Sequence, residues 1–245
     1  MPLLAAAFFL TALLYASVGF GGGSTYNALL ALSGVDYRIL TLIALTCNIV
    51  VVAGSSIRFA RAGVTPRREA IKLTALAAPA ALIGGLTPIS ESAFLTILGA
   101  CLLLTAMTLF LPVSAGDGEP HRLARFMPLA AAPLGYLAGL VGIGGGIFLA
   151  PLLHLLRWKD ARAIAATASF FILVNSLFGL AGQLMKGGEG RFFAAVDFGL
   201  PLIVAVVIGG QIGSLLALKF MPQRWIRVGT AALTGWVGLR LLLAM

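Results

Sequence analysis

Charge is what this chain most lacks. Lysine, arginine, aspartate and glutamate make up 10% of its 245 residues, against 60% hydrophobic ones. None of the four precedes Asp36, and further uncharged runs cover residues 39–57, 73–90, 92–116, 126–153, 163–185 and 198–218. A mean hydropathy of +1.04 excludes a soluble domain of this length. About 20 apolar residues are needed to cross a bilayer at 1.5 Å of rise each. Most of the runs qualify, and the last, from Val228, is interrupted only by Arg240. The absence of any charge at mid-span argues against a carboxylate proton relay and against a charged-ring ion filter. Arg58 and Asp197 sit at span ends, where long side chains ordinarily snorkel to the interface.

Cysteine and histidine are scarce too, with two of each. Cys47 and Cys101 lie inside apolar runs without metal-ligand spacing and read as small buried thiols. His154 ends a short apolar segment beside Arg157 and reads as a loop-proximal residue. With no Ser/His/Asp set and no metal-binding cluster inside the spans, neither an intramembrane enzyme nor a metal or cofactor is expected. The net charge of +9 does not imply a nucleic-acid partner, because the basic residues sit in short loops between spans. The opening apolar run lacks the basic start of a secretory signal peptide, so it is expected to belong to the mature fold.

Glycine, by contrast, is abundant and clustered. GFGGG at Gly19 to Gly23 recurs as GIGGG at Gly142 to Gly146, an offset of 123 residues, each inside an uncharged apolar run. The same offset places Leu29-Leu30 on Leu152-Leu153 and Thr46 on Ser169, and small slips bring Pro79 near Pro201 and Gly84-Gly85 onto Gly209-Gly210. The chain therefore reads as an all-α polytopic membrane protein made of two repeats, residues 1–111 and 126–245, joined by a polar linker at 112–125. Each repeat holds one broken segment and three whole spans.

Loop charge sets the orientation of the repeats. If each broken segment goes in and comes back, the loops at 58–72, 112–125, 156–162 and 219–227 share one side and hold thirteen of the seventeen basic residues. The other side keeps Arg38, Lys186, Arg191 and Arg240. A single crossing gives at best ten against seven. The positive-inside bias favours the first arrangement: two inverted repeats of five helical segments, basic loops cytoplasmic, both termini outside.

A glycine-rich string also invites a phosphate-loop reading, but no Lys-Ser or Lys-Thr follows either cluster and neither lies between a soluble strand and an amphipathic helix. A packing face uses small residues every fourth position, whereas here three adjoin. Broken helices fit better. Backbone freed in a break must be buried or line a wet cavity, so the breaks are expected to meet near the midplane on a translocation path. A helix restarting after glycine points free N–H groups and its positive dipole end at that cavity, a setting for an anion.

The candidate site comprises Gly21, Gly22 and Gly23 with Ser24, Thr25 and Asn27 on one wall, and Gly144, Gly145 and Gly146, followed by apolar Ile147 to Ala150, on the other. One polar and one apolar wall suit an anion with an organic tail. Thr46 and Asn48, and Thr167, Ser169 and Asn175, are further candidates on the next spans. The hydroxyls could equally bond back to their own helix turn, while an unpaired buried asparagine is costlier. Gln183 and Gln211, near span ends, read as gate or packing residues.

GFGGGSTYNALLALSGVD (Gly19 to Asp36), SSIRFARAG (Ser55 to Gly63), AGLVGIGGGIFLAPLL (Ala138 to Leu153) and ATASFFILVNSLFGLAG (Ala166 to Gly182), in this order and duplicated, resemble the sulfite exporter TauE/SafE family of bacterial membrane permeases. The first half departs from that pattern at Asn27-Ala28, where Val-Pro is common. The resemblance implies an inner-membrane secondary transporter of small sulfur-containing anions, sulfite or organosulfonates, working outward. Its partners would be the anion and membrane lipid. The rival reading is a passive anion channel or a scaffold whose glycines serve only packing.

Overall fold

The computed structural model describes residues 1–18, 20–110, 121–216 and 223–243. Gly19 and most of the 112–125 linker lie outside that set, as does part of the 219–227 loop. The described chain is helical throughout: α1 (Pro2–Val18), α2 (Gly23–Leu32), α3 (Tyr37–Arg61), α4 (Arg67–Leu86), α5 (Glu91–Phe110), a short 3-10 turn (Arg122–Phe126), α6 (Met127–Val141), α7 (Gly146–Leu155), α8 (Ala161–Leu216) and α9 (Gln223–Leu243). Five stretches are long and apolar enough to cross a membrane: Tyr37–Arg61, Arg67–Leu86, Glu91–Thr108, Ala161–Gly187 and Gly190–Gly213. Large apolar side chains such as Leu3, Met107, Leu129 and Phe193 face outward, as a lipid-solvated surface requires.

A straight helix of 56 residues would be about 84 Å long, yet α8 is not straight. Leu45 of α3 packs at Gly179, and Ile43, on the neighbouring turn, packs at Gly199. Those two glycines can only reach adjacent points of α3 if the chain reverses between them. The two limbs, Ala161–Gly187 and Gly190–Gly213, are separate spans on either side of that reversal.

Small residues set the helix contacts. α6 lies along α4, with Gly135 against the Ala77 backbone and Gly139 against Ala81; α1 lies along the second limb of α8, with Gly209 against Phe9 and Gly213 against Leu13. Both pairs are parallel, and both use small residues four apart, which let backbones approach closely where lipid supplies no hydrophobic drive. In each pair a pre-break helix from one half of the chain rests on a span from the other. α5 and α9 pair antiparallel, with Gly99 near Leu242 and Gly235 near Ala106.

The registers fix the chain directions. Ile43 and Val51 meet Gly199 and Gly210, so α3 follows the second limb of α8, as α1 does. α2, about 15 Å long, therefore returns the chain between α1 and α3. α6 instead follows the first limb: Gly145 sits beside both Leu134 and Phe171, and Gly139 beside Gly179. The two limbs are antiparallel, so α1 and α6 point in opposite directions.

The loops sort accordingly. Lys159 pairs with Glu69 at 3.5 Å, and the His121 N–H donates to the Leu156 carbonyl at 3.0 Å. Loops 58–72 and 156–162 and the described end of the linker thus share one end of the molecule. Arg38 starts α3 and so lies at the other end, where Lys186 and Arg191 join it around one cavity.

Candidate functional site

Each break ends in a glycine that a side chain would not tolerate. Gly22 (φ 78°) precedes α2 and Gly145 (φ 75°) precedes α7, both left-handed, at matching positions of the two clusters, and neither helix start carries a side-chain cap. L-residues rarely adopt this backbone, whereas glycine does so without steric cost. A β-carbon would in addition lie 3.3 Å from the Tyr26 ring at Gly22 and 3.0 Å from Phe171 at Gly145. With no capping oxygen, the first N–H groups of α2 and α7 remain available at the positive ends of their dipoles.

The two breaks meet at Asn48, within a residue of the centre of α3. A β-carbon on Gly21 would lie 2.6 Å from its Oδ1, and one on Gly144 would lie 2.9 Å from its Nδ2. Gly144 also faces Ile172 and Ser176, which flank the centre of Ala161–Gly187. The breaks therefore sit halfway along two full-length spans. Between them lies a cavity of about 10 Å³ lined by Tyr15, Phe20, Gly21, Gly22, Gly23, Ser24, Ile143, Ile147 and Ile172. That is the room of roughly one water molecule, so this conformation is closed around the breaks.

The carbonyl ends of α6 are capped by side-chain amides. Gln183 Nε2 donates to the carbonyls of Gly139 (3.0 Å) and Leu140 (3.3 Å), Asn27 Nδ2 to Val141 (2.8 Å), and Asn48 Nδ2, more weakly, to Gly142 (3.5 Å). Four consecutive carbonyls that an unbroken helix would have used are thereby satisfied. Asn27 thus spends its donor on the opposite break rather than on the cavity. Gln183 caps the end of α6 in this conformation.

Several buried polar atoms around the breaks have no hydrogen-bond partner among the described residues: Ser24 Oγ, Asn48 Oδ1, Ser176 Oγ, Asn27 Oδ1, the Tyr26 hydroxyl and both amide atoms of Asn175. Each residue is at most 1% exposed. Leaving such an atom unpaired costs about 1–3 kcal/mol, and native proteins leave few of them. Asn175 lies on the helical stripe of Ile172 and Gly179, one residue from Ser176.

The remaining candidates divide. Thr25 Oγ1 pairs with the Tyr15 hydroxyl at 2.9 Å, tying the start of α2 to α1. Thr46 Oγ1 donates to the Leu42 carbonyl of its own helix at 2.8 Å, the back-bonding alternative. Gly23 packs on Asn48 and Gly146 on Ile172. Thr167 and Ser169 are fully buried on α8, but the lining of the cavity includes neither. The structure adds Tyr15, Phe20, Ile143 and Ile172 to the lining, with Ser176 facing Gly144. The apolar members carry no signal in a sequence this hydrophobic, whereas Ser176, adjoining Asn175, could have been found.

Two short helices, each following a glycine break, meet inside a bundle of full-length spans, the architecture of a multi-pass membrane protein. Comparison with known proteins makes this specific. The model of the family described as sulfite exporter TauE/SafE matches residues 4–241. A probable membrane transporter protein of Sinorhizobium fredii is 32% identical over 245 residues, covering 98% of this chain and 97% of its own. A probable membrane transporter protein of Methanocaldococcus jannaschii is 28% identical over 113 residues (44% and 42%), and a sulfite exporter TauE/SafE family protein of Arabidopsis thaliana 35% over 94 residues (38% and 20%). The chain belongs to the sulfite exporter TauE/SafE family. No solved structure matches it.

Proposed function

We propose that the protein is a secondary transporter that moves small sulfur-containing anions, sulfite or organosulfonates, out across the inner membrane by alternating access. One observation carries the reading: the uncapped N-termini of α2 and α7 converge on a cavity lined by Ser24, whose hydroxyl lacks a partner among the described residues, and by no charged side chain, with the unpartnered Asn48 amide oxygen beside Gly21. Dipole ends and backbone N–H groups attract an anion and release it more readily than a fixed cation would. The family's name supports the cargo and the direction.

The closed cavity needs a motion to admit its guest. The swapped packing of α1 on the second limb of α8, and of α6 on α4, supplies two matched units for it. We read them as inverted repeats that rock about the breaks, as in other transporters of this construction. The basic end of the molecule is then cytoplasmic and both termini lie outside.

Counterflow tests the transport mode. Radiolabelled sulfite efflux from proteoliposomes should saturate, and unlabelled sulfite or a short alkyl sulfonate on the opposite side should accelerate it. Linear flux without counterflow would make the protein a channel, and no flux would leave the glycines a packing role. Orientation is tested separately with an impermeant thiol reagent in intact cells. A cysteine placed between Lys186 and Arg191 should be labelled and one placed at Arg67 should not; the reverse pattern would overturn the assignment of sides. Cys47 and Cys101 are buried, so background labelling should be low.

A further inference from the structure

A second cavity lies at the end of the molecule that is poor in positive charge. It measures about 230 Å³, more than twenty times the space between the breaks, and is bounded by Tyr37, Thr41, Ile89, Phe94, Leu140 and Gln183 together with Arg38, Lys186 and Arg191. Three of the four cations assigned to this face by loop charge therefore gather in one concavity. Among the described residues no carboxylate lines it. The nearby Asp36 carboxylate accepts the Arg38 backbone N–H at 2.9 Å as the cap of α3, and among the described residues none of the three cations forms an ion pair. Lys186 Nζ donates to the Thr87 carbonyl at 3.1 Å and Arg38 Nε to the Tyr37 hydroxyl at 3.3 Å, contacts with neutral groups that position both; Asp36 and Glu91 act on the Arg38 charge from outside the lining.

The floor of this cavity adjoins the second break. Thr41 lines it, and a β-carbon on Gly142 would lie 2.9 Å from Thr41 Cγ2. Leu140 and Gln183 line it as well, and Gln183 is the residue that caps the end of α6. Along α3, seven residues separate Thr41 from Asn48, about 10 Å of rise. The cavity thus stands directly over the closed site, divided from it by the capped end of α6.

We propose that this cavity is a second anion site: a vestibule in which Arg38, Lys186 and Arg191 hold a small free oxyanion or sulfonate on its way past Gln183 and Gly142. Arginine offers planar paired donors that match such an anion, and lysine a mobile point charge. A cleft lined by one sign of charge raises the local concentration of the opposite ion and loses that effect as salt rises. The central site, by contrast, works through backbone dipoles. The two sites accordingly differ in salt dependence. The proposal rests on the anion-transport reading, but it concerns residues that the central site does not use.

The test is equilibrium binding of radiolabelled sulfite to the full protein in nanodiscs of phosphatidylcholine alone, and of phosphatidylcholine with phosphatidylglycerol. Wild type should bind at two sites in neutral nanodiscs. Combining Arg38→Gln with Arg191→Gln should remove the salt-sensitive one, with at least tenfold loss of affinity, while Asn48→Leu should weaken only the other. A single site abolished by Asn48→Leu and untouched by the double change would overturn the vestibule and leave the central site standing. The opposite pattern, one site lost only with the arginines, would keep the vestibule and overturn the central reading. Unchanged sulfite binding with reduced retention of phosphatidylglycerol would make the cavity a lipid-headgroup site and overturn the proposal, as would no sulfite binding at all. If the double variant fails to insert, Thr41→Cys gives a separate readout: sulfite should slow its modification by an impermeant thiol reagent at least tenfold in neutral nanodiscs, and an unchanged rate would overturn the vestibule.

Discussion

The two glycine breaks end in the same way and differ on either side of that end: Gly144 is left-handed (φ 82°) where its counterpart Gly21 is not. Each ends in a left-handed glycine before an uncapped ten-residue helix. After the first come Ser24, Thr25, Tyr26 and Asn27; after the second, Ile147, Phe148, Leu149 and Ala150. The carbonyl end of the second break is held by Gln183, Asn27 and Asn48, and one of those amides is supplied by the helix that follows the first break. The polar residues of the first break thus also support the second. The first break is followed by polar residues, and the second by apolar ones and braced from across the interface.

The most damaging way to break this comparison is at the element the two breaks share. Gly22→Leu and Gly145→Leu should each abolish sulfite efflux from proteoliposomes while the protein still inserts, because both positions combine positive φ with a neighbour within 3.3 Å. Equal loss at both would show that both helix starts are needed. Wild-type flux in either variant would reduce that break to a packing feature.

Asn48 is where the breaks touch, so it should carry the next largest effect. Asn48→Leu removes a fully buried amide whose Oδ1 has no partner among the described residues and whose Nδ2 reaches only weakly toward Gly142. If the guest meets this amide, the lost interaction is worth on the order of 1.5–3 kcal/mol, roughly ten- to a hundredfold in sulfite affinity. Asn175→Leu should act in the same range, since both of its amide atoms are unpartnered. Unchanged affinity in both variants would remove the side chains from the site and leave only backbone donors.

Much of this was legible in the residues. Uncharged runs mark the spans, and the repeated glycine clusters mark the breaks, because few other patterns stop a helix inside an apolar run. Loop charge grouped residues 58–72 with 156–162, and the Lys159–Glu69 pair places those loops together. What stayed hidden depends on distance across the fold. Asn27 and Gln183 look alike as polar residues in apolar surroundings, and nothing local says that both turn onto the end of α6. Thr46 and Ser24 look alike as hydroxyls, yet one bonds back to its own turn and the other is left without a partner beside a break. The basic cavity joins Arg38 to residues about 150 positions away, so no sequence window contains it.

The capping asymmetry predicts a smaller and different effect, on stability rather than on affinity. Gln183→Leu leaves the Gly139 and Leu140 carbonyls without their side-chain donor in a buried setting, which should cost about 1–3 kcal/mol and lower the unfolding midpoint in detergent. Asn27→Leu should cost a similar amount through Val141, even though Asn27 belongs to the other half of the chain. If Gln183→Leu left the midpoint unchanged while altering flux, its amide would be a gate rather than a brace.

The smallest effect is expected at the first break, whose described side-chain tie is the hydroxyl pair of Tyr15 and Thr25, 2.9 Å apart. Tyr15→Phe keeps the ring that lines the central cavity and removes only the hydroxyl. The net loss for one neutral hydrogen bond is about 0.5–1.5 kcal/mol, less than for Gln183, which serves two carbonyls. Sulfite affinity should change less than threefold, because the Thr25 hydroxyl is engaged with α1, unlike the unpartnered amide atoms of Asn48 and Asn175. The informative measurement is therefore the pair of unfolding midpoints. A larger drop for Gln183→Leu than for Tyr15→Phe would show that the second break depends more on side-chain bracing. A larger drop for Tyr15→Phe would reverse the comparison and make the first break the one more dependent on side chains.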